Sequence, residues 1–161
     1  MVAIREARPE DQTAVWAMLE PVVRAGEVFA LPTSMSCDEA MAYWFAPGHV
    51  VFVAELEGAI VGTYYLQPNQ QGGGAHVSNC GYLTASRVQG RGIARAMCEH
   101  SLELGKTLGF RAMQFNFVVS SNHSAVHLWQ KCGFRVVGTL PGAFEHPRLG
   151  FVDALVMWQE L

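Results

Sequence analysis

The chain has no excess of basic residues: 11 Lys and Arg stand against 14 Asp and Glu, a formal net charge of -3 over 161 residues. Nucleic acid or an anionic membrane surface would require a positive footprint, so neither is expected as a partner. No apolar run approaches the ~20 residues needed to cross a bilayer. The start, Met1-Val2-Ala3-Ile4-Arg5-Glu6, brings charge at once and lacks the basic-then-apolar layout of a signal peptide. The four cysteines, Cys37, Cys80, Cys98 and Cys132, form no CxxC pair, which fits reduced thiols in a cytoplasmic protein. There is no internal repeat and no dividing linker, and 50% of the residues are hydrophobic. Residues 1–161 are therefore expected to form a single domain with its own core.

What is present reads as alternating strands and helices. Val2 to Arg5 is a short strand, and Pro9 opens a helix with Val15, Leu19 and Val22 on one face. A loop from Gly26 to Ser36 precedes a second helix near Asp38 to Phe45. Val50 to Leu56 and Ala59 to Leu66 form a hairpin across Glu57-Gly58. Gly72-Gly73-Gly74 is predicted to be a flexible connection to a strand over His76 to Thr84. A long helix follows, with Ile93, Met97, Leu104 and Leu108 on its buried side and Gly109 at its end. Ala112 to Val119 is a strand, Asn122 caps a helix through Lys131, and Gly133 terminates it. Strands at Phe134 to Thr139 and Phe151 to Trp158 complete the order βααβββαβαββ. This is an α/β fold with a sheet of mixed strand direction, locally parallel in the βαβ unit from His76 to Val119.

The segment Gln89-Gly90-Arg91-Gly92-Ile93-Ala94 carries the most chemistry. A strand that delivers Gly-x-Gly into a helix start exposes backbone N–H groups with no intrahelical partner, at the positive end of the helix dipole. Glycine allows a phosphate to approach the backbone closely, and Arg87, Arg91 and Arg95 add positive charge nearby. The turn does not run into the Gly-Lys-Ser/Thr of a P-loop, and it lacks the third glycine and downstream acid of a dinucleotide fold. A ligand-free glycine connection is the alternative reading of this turn alone.

Gln89-x-x-Gly92-x-Ala94 resembles the Gln/Arg-x-x-Gly-x-Gly/Ala motif of the GCN5-related N-acetyltransferases. Downstream, Asn122-x-x-Ala125-x-x-Leu128-Trp129-x-Lys131-x-Gly133-Phe134 is similar to that family's second block, and the element order agrees. The resemblance implies a mostly antiparallel sheet with a splayed central strand pair, flanked by helices. It also implies acetyl-CoA as cosubstrate. The amides of Gln89, Gly90, Arg91, Gly92, Ile93, Ala94 and Arg95 would hold its pyrophosphate, Tyr82, Leu83 and Thr84 would pair with the pantetheine arm, and Asn122 would bond that arm or act only as a helix cap. A bulge near Asn79 to Gly81 would aim one N–H at the thioester carbonyl as an oxyanion donor.

Acetyl transfer needs a neutral amine and a proton for the departing thiolate, although a thiol with pKa about 8.5 leaves readily. The family's usual acid is a tyrosine, and this chain has Trp129 in its place; water, Ser124 or His127 are the candidates left. As base, His76 has the right chemistry, but a structural histidine is the competing reading. A cysteine nucleophile at Cys80 would imply a ping-pong route, against the simpler reading of a small buried strand residue. No metal is expected at His123 and His127, which lack a third ligand.

Asn79 and Asn116 stand in strands that are otherwise apolar, and a buried amide without partners costs ~1–3 kcal/mol. Both are expected to face the acceptor pocket or the thioester. Asn79, Asn116 and Asn122 are also spaced as in the yeast L-azetidine-2-carboxylate acetyltransferases, which implies an amino acid or proline analogue as acceptor, with Asn79 bonding it. Acceptor loops are expected at Val28 to Met35 and Pro141 to Gly150. Phe29, Leu31, Phe144 and His146 would line an apolar pocket there, or else pack a homodimer contact. The expected activity is acetyl transfer to the amine of a small molecule. The alternatives are a protein or peptide N-acetyltransferase and a non-catalytic acyl-CoA-binding regulatory module.

Overall fold

Glu57 and Gly58 both take positive φ, 52° and 80°, the conformation of a two-residue hairpin turn. They join strand β2 (Val50–Leu56) to β3 (Ala59–Pro68) in an antiparallel pair. Around that hairpin the computed structural model, which describes residues 1–161, places β1 (Ala3–Glu6), α1 (Gln12–Ala25), α2 (Cys37–Trp44), β4 (Val77–Thr84), α3 (Ile93–Thr107), β5 (Ala112–Val119), α4 (His123–Lys131), β6 (Arg135–His146) and β7 (Gly150–Glu160). The seven strands lie in the order β1-β2-β3-β4-β5-β7-β6, and every pair is antiparallel except β4 and β5. The predicted mixed, mostly antiparallel sheet flanked by helices is thus the observed one.

Period-two alternation sends successive β3 side chains to opposite layers. Gly62 faces α3, where an added Cβ would come within 2.9 Å of Met97 Cε, and Tyr64 meets His100 Nδ1 at 2.7 Å. On the other face Trp44 Nε1 of α2 donates to Thr63 Oγ1 at 3.2 Å. The continuous core runs through both layers, from Val15, Leu19 and Trp44 to Met97, Met113 and Met157.

Several expectations need correction. Pro9–Asp11 is a 3-10 turn ahead of α1, and the buried face of α1 runs through Val15, Met18, Leu19 and Val23, with Val22 only half-buried. Leu108 is 51% exposed: α3 stops at Thr107, and its buried face ends on Ser101 and Gly105. The glycine triplet connecting β3 to β4 takes the form of a 3-10 turn. β6 runs on to His146 through irregularities at Val136/Gly138 and Leu140/Phe144; Pro141, which has no N–H to give the ladder, falls within the second.

The β1 end is tied down by Arg5, which donates to both carboxylate oxygens of Asp11 (2.8 and 3.1 Å) and to Glu55 (2.7 Å). Asp11 is buried, and the Arg5 hydrogen bonds hold its carboxyl below the ordinary value of 3.8, against the opposing effect of burial. A depressed folded-state pKa stabilises the protein above the unfolded value, and that stability is lost as the pH falls through the folded value. Asp11→Asn is therefore expected to lower stability at pH 7 by about 1–3 kcal/mol and to flatten the decline below about pH 4. Urea unfolding at a series of pH values checks both; an unchanged acid limb would contradict the assignment.

Candidate functional site

The parallel pairing of β4 with β5 consists of Val77↔Ala112 and Ser78↔Met113 and goes no further. Beyond it the strands diverge around a cavity of about 1030 Å³, lined on one bank by Asn79 to Thr84 and on the other by Phe115 to Val119. The bonds Asn69 N–H to Val77 O and Ala85 N–H to Val61 O set the alternation along β4. Odd-numbered residues bond to β3, so the main-chain groups of Cys80, Tyr82 and Thr84 turn toward the gap. The expected bulge at Asn79 to Gly81 is absent, since β3–β4 register is unbroken from Gly62↔Thr84 to Pro68↔Ser78. Divergence of β5 exposes the β4 edge without one. The irregularity lies on β5, between Phe115 and Val118.

At the cleft's far end the chain turns through Gly90 (φ 78°) and Gly92 (φ 82°) into α3. Both conformations strain any residue with a Cβ, and the Cβ side of each glycine is open space. The first helical bond of α3 is Ala96 N–H to Gly92 O, and no side chain caps this end. The amides of Gly92, Ile93, Ala94 and Arg95 are thus the unpaired donors of the helix start. Gln89, Gly90, Gly92, Ile93, Ala94 and Arg95 line the cavity. Arg91 is different: its N–H closes a turn on Val88 O at 3.2 Å, and its side chain is exposed outside the lining. Arg95 is paired on the surface with Glu99. The Gly105-Lys106-Thr107 triplet lies in the last turn of α3, at the negative end of the dipole, and forms no phosphate loop.

Asn122 occupies the N-cap position of α4, but its side chain makes no cap; its Oδ1 accepts from Ser124 Oγ at 3.3 Å on the cavity wall. Trp129 is buried between Tyr82 (centroids 4.7 Å) and Phe115 (5.1 Å), where it seals the bottom of the cleft as packing. The Tyr82 hydroxyl is committed to Ser101 Oγ at 2.6 Å. The Cys80 side chain is buried on the same face, and burial pushes its thiol up to about 12. At pH 7 almost none of it is thiolate, so the side chain is a poor nucleophile.

On the α1–α2 side, Phe29 and Leu31 line the cavity together with Tyr43 and Tyr65. The Tyr65 ring lies where a Cβ of residue 81 would stand, so Gly81 is obligatory, and its hydroxyl meets Tyr43 at 3.1 Å. Asn79 is buried, with Nδ2 donating to Gln114 O at 2.9 Å and Oδ1 accepting from Gln67 at 3.2 Å. Asn116 lines the cavity as expected but is exposed, its Oδ1 accepting from Gln114 and its Nδ2 donating to Asn69. Phe144 and His146 do not reach the cavity: Phe144 packs on Phe117, and His146 Nδ1 accepts the N–H groups of Arg148 and Leu149 in the β6–β7 turn. His76 is exposed at the opposite end of β4, away from the cavity, while His127 and Ser124 stand on its α4 rim. Tyr43, Tyr65 and Gln67 escaped the sequence reading; only the small residue at Gly81, facing a strand tyrosine, hinted at the contact.

A helix start with free amides, two open glycines and a gap-facing strand edge fit a diphosphate joined to an amide-bearing arm. Comparison with known proteins agrees. Residues 13–134 match the acetyltransferase (GNAT) family. The chain is similar to N-acetyltransferase aca1 of Schizosaccharomyces pombe, 23% identical over 83% of this chain and 72% of that protein. It is also similar to a GCN5-related N-acetyltransferase from Kribbella flavida, with TM-score 0.95 and 37% identity over 99% of this chain and 98% of that one. The fold recurs in a phosphinothricin acetyltransferase from Sinorhizobium meliloti in complex with acetyl-CoA, with TM-score 0.86 and 20% identity over 99% and 88% of the two chains.

Proposed function

We propose, from the premise that this chain belongs to the GNAT acetyltransferase family and is an N-acetyltransferase using acetyl-CoA, that its acceptor is a small neutral or zwitterionic amine. The carrying observation is the lining of the cavity. Its only Lys or Arg side chains, Arg95 and Lys131, belong to α3 and α4, and it has no Asp or Glu. Polyamines, aminoglycosides and basic peptides need carboxylates to replace their hydration, whereas a lining of aromatic, aliphatic and amide groups such as Phe29, Tyr43, Leu31 and Asn116 suits a compact, mostly apolar amine.

Acetyl-CoA supplies an acetyl thioester: an N–C bond forms, the C–S bond breaks, and a proton passes from nitrogen to sulfur. The amides at Gly92 to Arg95 hold the diphosphate, with Gln89 and Gly90 shaping the turn. The main-chain groups of Tyr82 and Thr84 pair with the arm, beside Leu83, and Asn122 bonds it from α4. Protons pass through water and the α4 rim at Ser124 and His127, because Trp129 has none to give. Amino acids such as proline and its four-membered-ring analogue belong to this acceptor class, and the spacing of Asn79, Asn116 and Asn122 supports testing them first.

Thiol release from acetyl-CoA, measured across an amine panel, tests the proposal. Turnover is expected with small apolar amines or amino acids at least about tenfold better than with spermidine, kanamycin or N-terminal peptides, a difference of about 1.4 kcal/mol in the barrier. Turnover confined to peptides or polycations would overturn the acceptor assignment.

A further inference from the structure

We infer that Asn79 is a positioning residue that ends the β4–β5 ladder and thereby frees the Cys80 N–H for the thioester carbonyl. The inference rests on the reading of this cleft as the acetyl-transfer site; the strand N–H donor is what the family resemblance implies, and the addition is the side chain that keeps it free.

In the register fixed by Val77↔Ala112 and Ser78↔Met113, the next parallel rung would run from the Cys80 N–H to the Gln114 carbonyl. That rung is not formed. The Gln114 carbonyl instead accepts Asn79 Nδ2 at 2.9 Å. A side-chain amide thus takes the place of the strand's own main chain, and the Cys80 N–H, turned to the gap by the β4 alternation, is left to the cavity. Without such a substitute, divergence of the strands would strand a carbonyl at the edge of the core, at a cost of about 1–3 kcal/mol.

The Gln114 carbonyl can only accept, so the Asn79 amide must present Nδ2 to it. On its other side Asn79 Oδ1 accepts from Gln67 Nε2 at 3.2 Å. His49, stacked on Tyr65 with centroids 4.2 Å apart, packs beside Gln67. Reversing Asn79 would set oxygen against the Gln114 carbonyl and N–H against N–H at Gln67. Both polar ends being engaged, Asn79 directs β5 away from Cys80 and does not primarily hold the acceptor. A preorganised N–H of this kind acts on the charge that develops on a carbonyl oxygen during acyl transfer.

Two measurements test this. In the unliganded wild-type protein, hydrogen exchange followed by NMR is expected to show the Cys80 amide unprotected beside a protected Ser78, and saturation with acetyl-CoA is expected to slow Cys80 exchange about tenfold or more. In Asn79→Leu, the carbonyl stretch of bound [1-13C]acetyl-CoA is expected to return toward its free-solution frequency. kcat is expected to fall about 30–100-fold while acetyl-CoA affinity stays within about threefold, since the diphosphate cradle is untouched. A Cys80 amide already protected without ligand, an unmoved carbonyl band in the variant, or a loss confined to acceptor KM would each overturn the inference; the first does not depend on the variant folding. Failure of the wild-type protein to bind acetyl-CoA would remove the broader reading with it, whereas binding without these signatures would remove only the role of Asn79.

Discussion

In Gly92→Asp, acetyl-CoA affinity is expected to fall by about 100-fold or more, close to 3 kcal/mol. Two effects add. The residue sits at φ 82°, where a side chain costs about 1–2 kcal/mol that the turn recovers by moving its amides out of line. The new carboxylate also projects into open space at the helix start, on the face proposed to take the diphosphate, and occupies the helix-start amides itself. Aspartate is a favourable residue at a helix N-cap, so the fold should survive and the deficit should appear in binding. Calorimetric titration with acetyl-CoA measures it, with Gly92→Ala separating strain from charge by an intermediate loss. An unchanged affinity in the aspartate variant would show that the anion is held elsewhere.

Trp129→Ala is expected to lower stability by about 3–5 kcal/mol, as large-to-small changes at buried aromatic sites do, and to reduce Tm by about 10 °C or more. The indole is wedged between Tyr82 and Phe115, and Phe115 stacks in turn on Phe134 at 4.1 Å, so its removal leaves α4 without its anchor to the sheet. Trp129→Phe should keep most of that stability and retain kcat within a few-fold, with an unaltered pH–rate profile, because an indole N–H does not titrate in this range. Thermal unfolding together with a pH series on both variants decides the matter. A well-folded phenylalanine variant with a collapsed rate would assign the indole a chemical role in place of the packing one.

What was legible in the sequence was what is local. The Gln89 to Ala94 turn is read correctly because strand, glycines and helix start are contiguous, and the positive φ values fall on the glycines that allow them. The Glu57-Gly58 hairpin and the helix ends at Gly109 and Gly133 follow for the same reason. Errors arise where a distant element decides the environment. Asn116 does line the cavity, yet it is no core amide: α1 and α2 cover the strands up to β4 and leave that face of β5 open to solvent. Phe144 and His146 are aromatic enough for a pocket, but β6 extends past Pro141 and buries them in its own turn with β7. The chain of amides from His49 through Gln67 to Asn79 joins residues 12 to 18 positions apart, and no spacing announces it. Asn79 is legible as an amide in a core strand, but its partners Gln67 and Gln114 lie on other strands and are not.

The two-rung seam between β4 and β5 has a mechanical consequence. In the sheet it is the only backbone joint between a plate of four strands, β1 to β4, and a plate of three, β5 to β7. Breathing of the molecule concentrates along such a line, where few hydrogen bonds must break for the plates to rock. A cosubstrate arm laid between the two banks, as proposed above, would splice them and count as an additional strand. The enzyme's resistance to heat and proteolysis should then follow the ambient acetyl-CoA level, gaining about 2.7 kcal/mol at a concentration 100 times the dissociation constant.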